Sequence, residues 1–204
     1  QYLMKTHIKE RPIPFSADMV RALLQGWKTQ TSRTRGLERF NGWPDRKIPL
    51  GEDAWELCHF TKEEPGIWRA IFQDPRGECP PGLDPVVKCP YGKPGERLCV
   101  RDPFFNVYDD WFRLLLEITD IEARKLQSIT EEEAMAEGIE SIFYDEETSS
   151  TGWKNYLDPE SMCIRARDSF FTLWDRLHGA GEAETDPWVW MIKFKVLKVK
   201  GTIK

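Results

Sequence analysis

Apolar positions at Met19, Val20, Leu23 and Leu24 recur at helical spacing behind Ser16, whose hydroxyl suits an N-cap, and Gly26 stands where such a helix would stop. A polar loop is expected from Trp27 to Arg35, and another from Asn41 to Pro49 around Gly42 and Pro44. Trp55–Phe60 and Ile67–Phe72 read as two strands about the turn Glu64-Pro65-Gly66. Residues 73–90, rich in Pro and Gly, read as irregular. Lys93-Pro94-Gly95-Glu96 signals a turn into Arg97–Arg101, which alternates like a strand. Trp111–Ile121 is a further apolar strand.

The C-terminal half adds helices. Thr130-Glu131-Glu132-Glu133 is a capping box, so a helix should start at Thr130 and end at Gly138. Residues 144–158 are polar and read as an irregular insertion. Ala166, Phe170, Leu173, Trp174 and Leu177 share one helical face, closed by Gly179. In Trp188–Val199, Ile192, Phe194 and Val196 alternate with Lys193 and Lys195, as in a long final strand. No repeat or linker divides residues 1–204, so one α+β domain is expected, a small barrel or curved sheet with helices at its edges.

Composition adds little to that outline: 40% of residues are hydrophobic and 31% charged, as in ordinary globular chains. No apolar run approaches a membrane span, and Gln1–Lys5 lacks the apolar core of a secretory signal. Met4 fits a natural start. Five cysteines without a signal fit reduced thiols in a cytoplasm. Cys79, Cys89 and Cys99 recur every ten residues, but no C-x-x-C pair is present, so no metal or other cofactor is expected. Neither a P-loop nor a dinucleotide fingerprint occurs, which argues against nucleoside-triphosphate hydrolysis and dinucleotide redox chemistry.

Charge changes the picture more. The net charge of −5 argues against broad, non-specific DNA binding. It conceals an asymmetry: seven basic residues against two acidic ones between Arg21 and Lys47, and eight acidic residues with no basic one between Glu131 and Glu147. The basic island reads either as one local anion site or as a solvated loop paired with the acidic segment. Trp27 and Trp43 flank it and suit base stacking, although core packing is the commoner fate of tryptophan.

Three stretches, taken in order, resemble ASCH domains, and more closely the long versions found in phages and prophages. They are Gly26-Trp27-Lys28-Thr29-Gln30-Thr31-Ser32-Arg33 within Phe15–Arg33, Lys93-Pro94-Gly95-Glu96-Arg97-Leu98-Cys99-Val100-Arg101, and Ile129-Thr130-Glu131-Glu132-Glu133-Ala134-Met135-Ala136-Glu137-Gly138-Ile139. The segment from Ala166-Arg167-Asp168-Ser169-Phe170 to Pro187-Trp188-Val189-Trp190 is similar to those phage proteins as well. The resemblance implies a PUA-like β-barrel with flanking helices, a cleft beside the first helix, and RNA or a modified nucleoside as partner. Some such proteins are amidohydrolases that deacylate acetylcytidine, and others are described as ribonucleases. In the amidohydrolases a Lys and a Thr of a G-x-K-T-x-T motif act with a Glu. Lys28, Thr31 and Glu137 stand at the matching positions. The phage relatives usually carry Arg where this chain has Ser32.

The resemblance thus selects Lys28, Thr31 and Glu137 as catalytic candidates. Trp27, Thr29, Arg33, Arg35, Arg101 and Asp102 are candidates for holding substrate or nucleic acid. A desolvated lysine near other cations can lose its proton and act as a base toward Thr31 or water. Glu137, at a helix end, suits a proton shuttle. Arg33 and Arg35 suit two-point phosphate contacts. The plain alternatives are a solvated Lys28 on phosphate, loop hydroxyls satisfying backbone, and one more exposed acid at Glu137. Three functions follow: a metal-independent amidohydrolase, a non-catalytic binding module for RNA or modified bases, and a phage protein that engages a host partner through its acidic surface.

Overall fold

The computed structural model describes residues 8–41, 48–50, 53–73, 76–78, 85–101, 113–145 and 150–200. The chain opens with β1 (Glu10–Pro14), α1 (Ala17–Leu24), β2 (Gln30–Arg33) and the single turn α2 (Glu38–Asn41). Five strands follow: β3 (Ile48–Leu50), β4 (Asp53–Glu64), β5 (Ile67–Gln73), β6 (Val86–Lys88) and β7 (Arg97–Arg101). Next come β8 (Arg113–Lys125), α3 (Glu131–Ala136), β9 (Ser141–Asp145), β10 (Ser150–Lys154), β11 (Met162–Cys163), α4 (Ala166–His178) and β12 (Trp188–Lys200). Among the described residues no helix is long and apolar enough to cross a membrane.

The strands make three mixed or antiparallel sheets, and the fold is α+β. The largest sheet has the order β1-β7-β8-β12-β2, parallel only at β1–β7. A second runs β3-β4-β5-β6 and a third β11-β10-β9. Among the described residues the large sheet is open, with β1 and β2 at its edges, and no closed barrel forms.

β8 and β12, the two longest described strands, are the spine. They pair antiparallel from Trp188 opposite Lys125 to Lys200 opposite Arg113, with two register shifts. Trp111, where the first of these strands was expected to begin, lies outside the described residues. Ile121, Ile192 and Trp190 are fully buried. The β3–β6 sheet packs over that face through rings: Trp68 meets Trp190 edge-on with centroids 4.8 Å apart, and Phe60 meets Trp188 at 4.9 Å. Burying rings of this size is a main source of stability for such a core.

Four segments differ from the sequence expectation. β3 overlaps the loop expected from Asn41 to Pro49, and β6 lies within 73–90, read as irregular, because its backbone pairs with β5. The stretch read as a polar loop contains β2, because its backbone pairs with β12 and places Thr31 opposite Ile192. Within 144–158, described residues form β10, and Tyr156 is buried. On α4, Phe170, Leu173 and Trp174 are buried as expected. Leu177, one turn further, is 58% exposed, so the covered stripe stops before the helix does.

Candidate functional site

The helix α1 ends where expected. The Ser16 hydroxyl accepts the Met19 N–H, and Gly26, at φ 78°, turns the chain past Gln25. The N–H groups of Trp27 and Lys28 both donate to the Ala22 carbonyl, which fixes the direction in which Lys28 leaves the helix. The helix α3 arrives from the other side. Thr130 and Glu133 form the predicted capping box, Glu137 is the C-cap, and Gly138 follows at φ 82°. The Thr29 N–H donates to the Ala136 carbonyl at 2.9 Å and locks the two segments together.

That lock brings Lys28 onto Glu137, 109 residues away in sequence. Lys28 Nζ donates to the Glu137 carbonyl oxygen at 2.5 Å and to its Oε2 at 3.0 Å. Ser32 Oγ donates to Oε1 at 2.7 Å. Lys28, Ser32 and Glu137 are each only 3% exposed. A cation on the C-cap carbonyl just past α3 also meets the negative end of that helix. Gly138 is necessary for this approach, since a Cβ there would lie 2.8 Å from the Lys28 Cβ and 3.1 Å from the Ala22 Cβ.

Burial pushes the Lys28 amine below its ordinary value, the Glu137 carboxylate opposes that shift, and nearby Arg33 adds to it. The result is a short polar chain in a dry setting: hydroxyl, carboxylate, amine. Such a chain can pass a proton along its length.

Thr31 is not part of it. Residues of a strand alternate in direction, so Thr31 faces away from the side that Gln30 and Ser32 share. Thr31 is fully buried, and its hydroxyl has no hydrogen-bond partner among the described residues. Both polar atoms of the Gln30 side chain are buried in the same condition.

The remaining candidates scatter around this centre. Arg33 donates to the carbonyls of Ser32 and Pro14 at 3.2 and 3.0 Å, and its guanidinium lies 5.0 Å from the Phe15 ring. Arg35 is exposed, and its carbonyl accepts the Trp190 indole N–H at 3.0 Å. Thr29 is exposed. Arg101 ends β7 opposite Pro14. Asp102 and Trp43 lie outside the described residues. Trp27 is 56% exposed. It walls a pocket of about 240 Å³ with Asp18, Arg21, Ala22, Gln25, Gly138, Glu140 and Ser141.

Sequence reasoning missed Ser32 and Phe15. The ring of Phe15 lies 5.5 Å from Lys28 Nζ, so it contributes both a cation–π contact and the dryness around the amine. The available signal for Ser32 was strand parity, hidden by reading the segment as a loop. Among the described residues no group of three His, Cys, Asp or Glu side chains is gathered to hold a metal. Burial pushes the Cys89 thiol up to about 12, opposite to what a thiolate ligand requires. Cys79 lies outside the described residues. Comparison with family models, with curated proteins and with solved structures gave no match.

Proposed function

We propose that this chain is a PUA-like protein of the ASCH type that acts on RNA or modified nucleosides and hydrolyses the amide of an acylated cytidine-type base without a metal. The support for this reading is the buried Lys28–Glu137 pair with the Ser32 hydroxyl on the same carboxylate, drawn together from distant positions. A desolvated amine is the base such a reaction needs, and a carboxylate in contact with it is a route for the proton.

In this scheme the neutral Lys28 amine takes a proton from water as the water oxygen bonds to the amide carbonyl carbon. Lys28 passes the proton across its 3.0 Å hydrogen bond to Glu137. Glu137 delivers it to the base nitrogen as the C–N bond breaks, so the amine leaves neutral rather than as an anion. Ser32 steadies the carboxylate between these transfers. This differs from a route through Thr31, whose hydroxyl reaches neither partner.

The test is turnover of an acylated cytidine, followed by mass spectrometry, on Lys28→Met and Glu137→Gln with the fold checked by circular dichroism. Each should lower turnover about 10²–10⁴-fold. Folded variants that hydrolyse the substrate as fast as the parent would overturn the scheme. A non-catalytic binding module is the second reading, favoured by the 3% exposure of both Lys28 and Glu137. Under it no hydrolysis is found in any form, and RNA affinity falls with added salt through the exposed Arg35 rather than the enclosed Lys28.

A further inference from the structure

The pocket beside Trp27 lies back to back with the Lys28–Glu137 pair. Gly138 lines the pocket on one side, and on the other its Cα approaches the Lys28 stem so closely that no side chain would fit. Neither Lys28 nor Glu137 lines the pocket. It is therefore a separate concavity, with walls from the exposed side of α1, from the turn after it, and from the Gly138–Ser141 segment.

Three features of its walls bear on what would fill it. First, an indole more than half exposed covers one side, although the fold buries most of its other described tryptophans in the core. Its backbone is pinned by the hydrogen bond to Ala22, so the ring is presented from a firm base. Second, the polar wall is rich in acceptors. Asp18 holds Arg21 at 3.3 Å, and Glu140 holds Lys154 at 2.9 Å through both oxygens. Each carboxylate keeps lone pairs beyond its one cation, and Gln25 and Ser141 add groups that both donate and accept. Third, a volume of about 240 Å³ admits one planar ring system with part of its substituent and excludes a folded chain.

A flat face for stacking, acceptors at its edge and room for one ring together describe a heteroaromatic ligand that carries amino hydrogens. We infer that this pocket binds a single unpaired nucleobase with an exocyclic amino group, stacked on Trp27 with its amino edge toward Asp18 and Glu140. This deepens the reading above and rests on it for the nucleic-acid class of ligand. It uses different residues, so the two can fail separately. With Arg21 as the one cation lining it among the described residues, the pocket reads base rather than phosphate. Stacking there should change little with salt, unlike phosphate contacts made by Arg33 and Arg35.

The probes are six-residue single-stranded RNAs of cytidine, adenosine or uridine, and the corresponding nucleoside monophosphates, titrated by calorimetry at two salt concentrations. Cytidine or adenosine probes should bind more tightly than uridine probes, which lack the amino group. Trp27→Ala should weaken the preferred probe about 5- to 150-fold, as loss of one stacked base does, and Trp27→Phe should keep most of the affinity. Equal affinity for monophosphate and hexamer would identify a free nucleotide as the ligand. Binding of the hexamer alone would identify a base within a strand. The inference is overturned if no probe binds the parent, if uridine binds as well as cytidine and adenosine, or if Trp27→Ala binds unchanged. Loss of binding in Trp27→Ala with turnover intact in Lys28→Met would retain the pocket and discard the catalytic scheme, and the reverse pattern would do the opposite.

Discussion

Glu137 and Glu140 each hold a lysine, and the two pairs use the same chemistry in opposite settings. Lys28 and Glu137 meet with side chains 3% and 5% exposed, whereas Lys154 and Glu140 meet at 33% and 41%. The distances are nearly the same, 3.0 Å and 2.9 Å. Distance therefore does not separate them; water does. In the half-exposed pair, solvent screens both charges and would hydrate either one left alone. In the buried pair each charge depends on the other, and the amine is pushed toward neutrality by the lack of water. The first arrangement ties a strand to a loop. The second creates a group with altered acid–base behaviour, which is why the proposed chemistry rests on Lys28 and not on Lys154.

The largest effect should come from breaking the buried pair. Lys28→Met leaves the Glu137 carboxylate enclosed with Ser32 as its one remaining hydrogen-bond donor among the described residues, a loss of about 3–5 kcal/mol in urea unfolding. Adding Glu137→Gln should recover much of that, because it removes the stranded charge. The loss should also depend on pH. The Lys28 amine titrates lower in the folded chain than in the unfolded one, where it keeps its ordinary value near 10.5. Between those two values the unfolded chain binds more protons, so stability rises with pH. Below that window the full cost of burying the ammonium is present. The stability of the parent relative to Lys28→Met should thus increase as pH climbs toward about 10.5, and a flat difference would contradict the lowered value.

Gly138→Ala should be intermediate. It forces a side chain into the left-handed backbone region at φ 82°, with its Cβ 2.8 Å from the Lys28 Cβ. The expected loss is about 1–3 kcal/mol, read from the urea midpoint. Because the added methyl presses on the Lys28 Cβ and not on Lys154, the shift should shrink in a background where Lys28 is already replaced by Gly. Equal shifts in both backgrounds would mean that backbone strain and the Ala22 contact, rather than Lys28, are responsible.

How far the sequence revealed these two regions follows from the range of the interactions. The caps of α1 and α3 were legible because Ser16 with Met19, and Thr130 with Glu133, are local bonds with a fixed offset. The strands β8 and β12 were legible because both contain long apolar runs. The approach of Lys28 to Glu137 was reached only through the motif resemblance, since nothing local links positions 109 apart. The choice between Thr31 and Ser32 was not legible. In a four-residue edge strand, a shift of one residue exchanges the two faces, and only pairing with β12 settles which hydroxyl meets the carboxylate. The parallel pairing of β1 with β7 was likewise hidden, because its register is set by chain segments almost ninety residues apart.

The smallest effect should come from the exposed pair, and it is the control that gives the comparison its force. Lys154→Met removes both hydrogen bonds to Glu140 and keeps the aliphatic stem near Tyr156, whose ring lies 5.2 Å from the amine. The Glu140 carboxylate then faces water, which replaces most of what the ammonium supplied. Its backbone N–H still donates to the Tyr156 hydroxyl at 3.0 Å, so the local chain stays anchored. The Lys154 backbone is likewise held, since its carbonyl accepts the Ser169 hydroxyl at 2.6 Å. The expected loss is about 0–1 kcal/mol, the ordinary worth of a pair that water can reach, and it should fall further in high salt. A loss as large as that of Lys28→Met would mean that burial is not what separates the two pairs, and the special status of Lys28 would then need another cause.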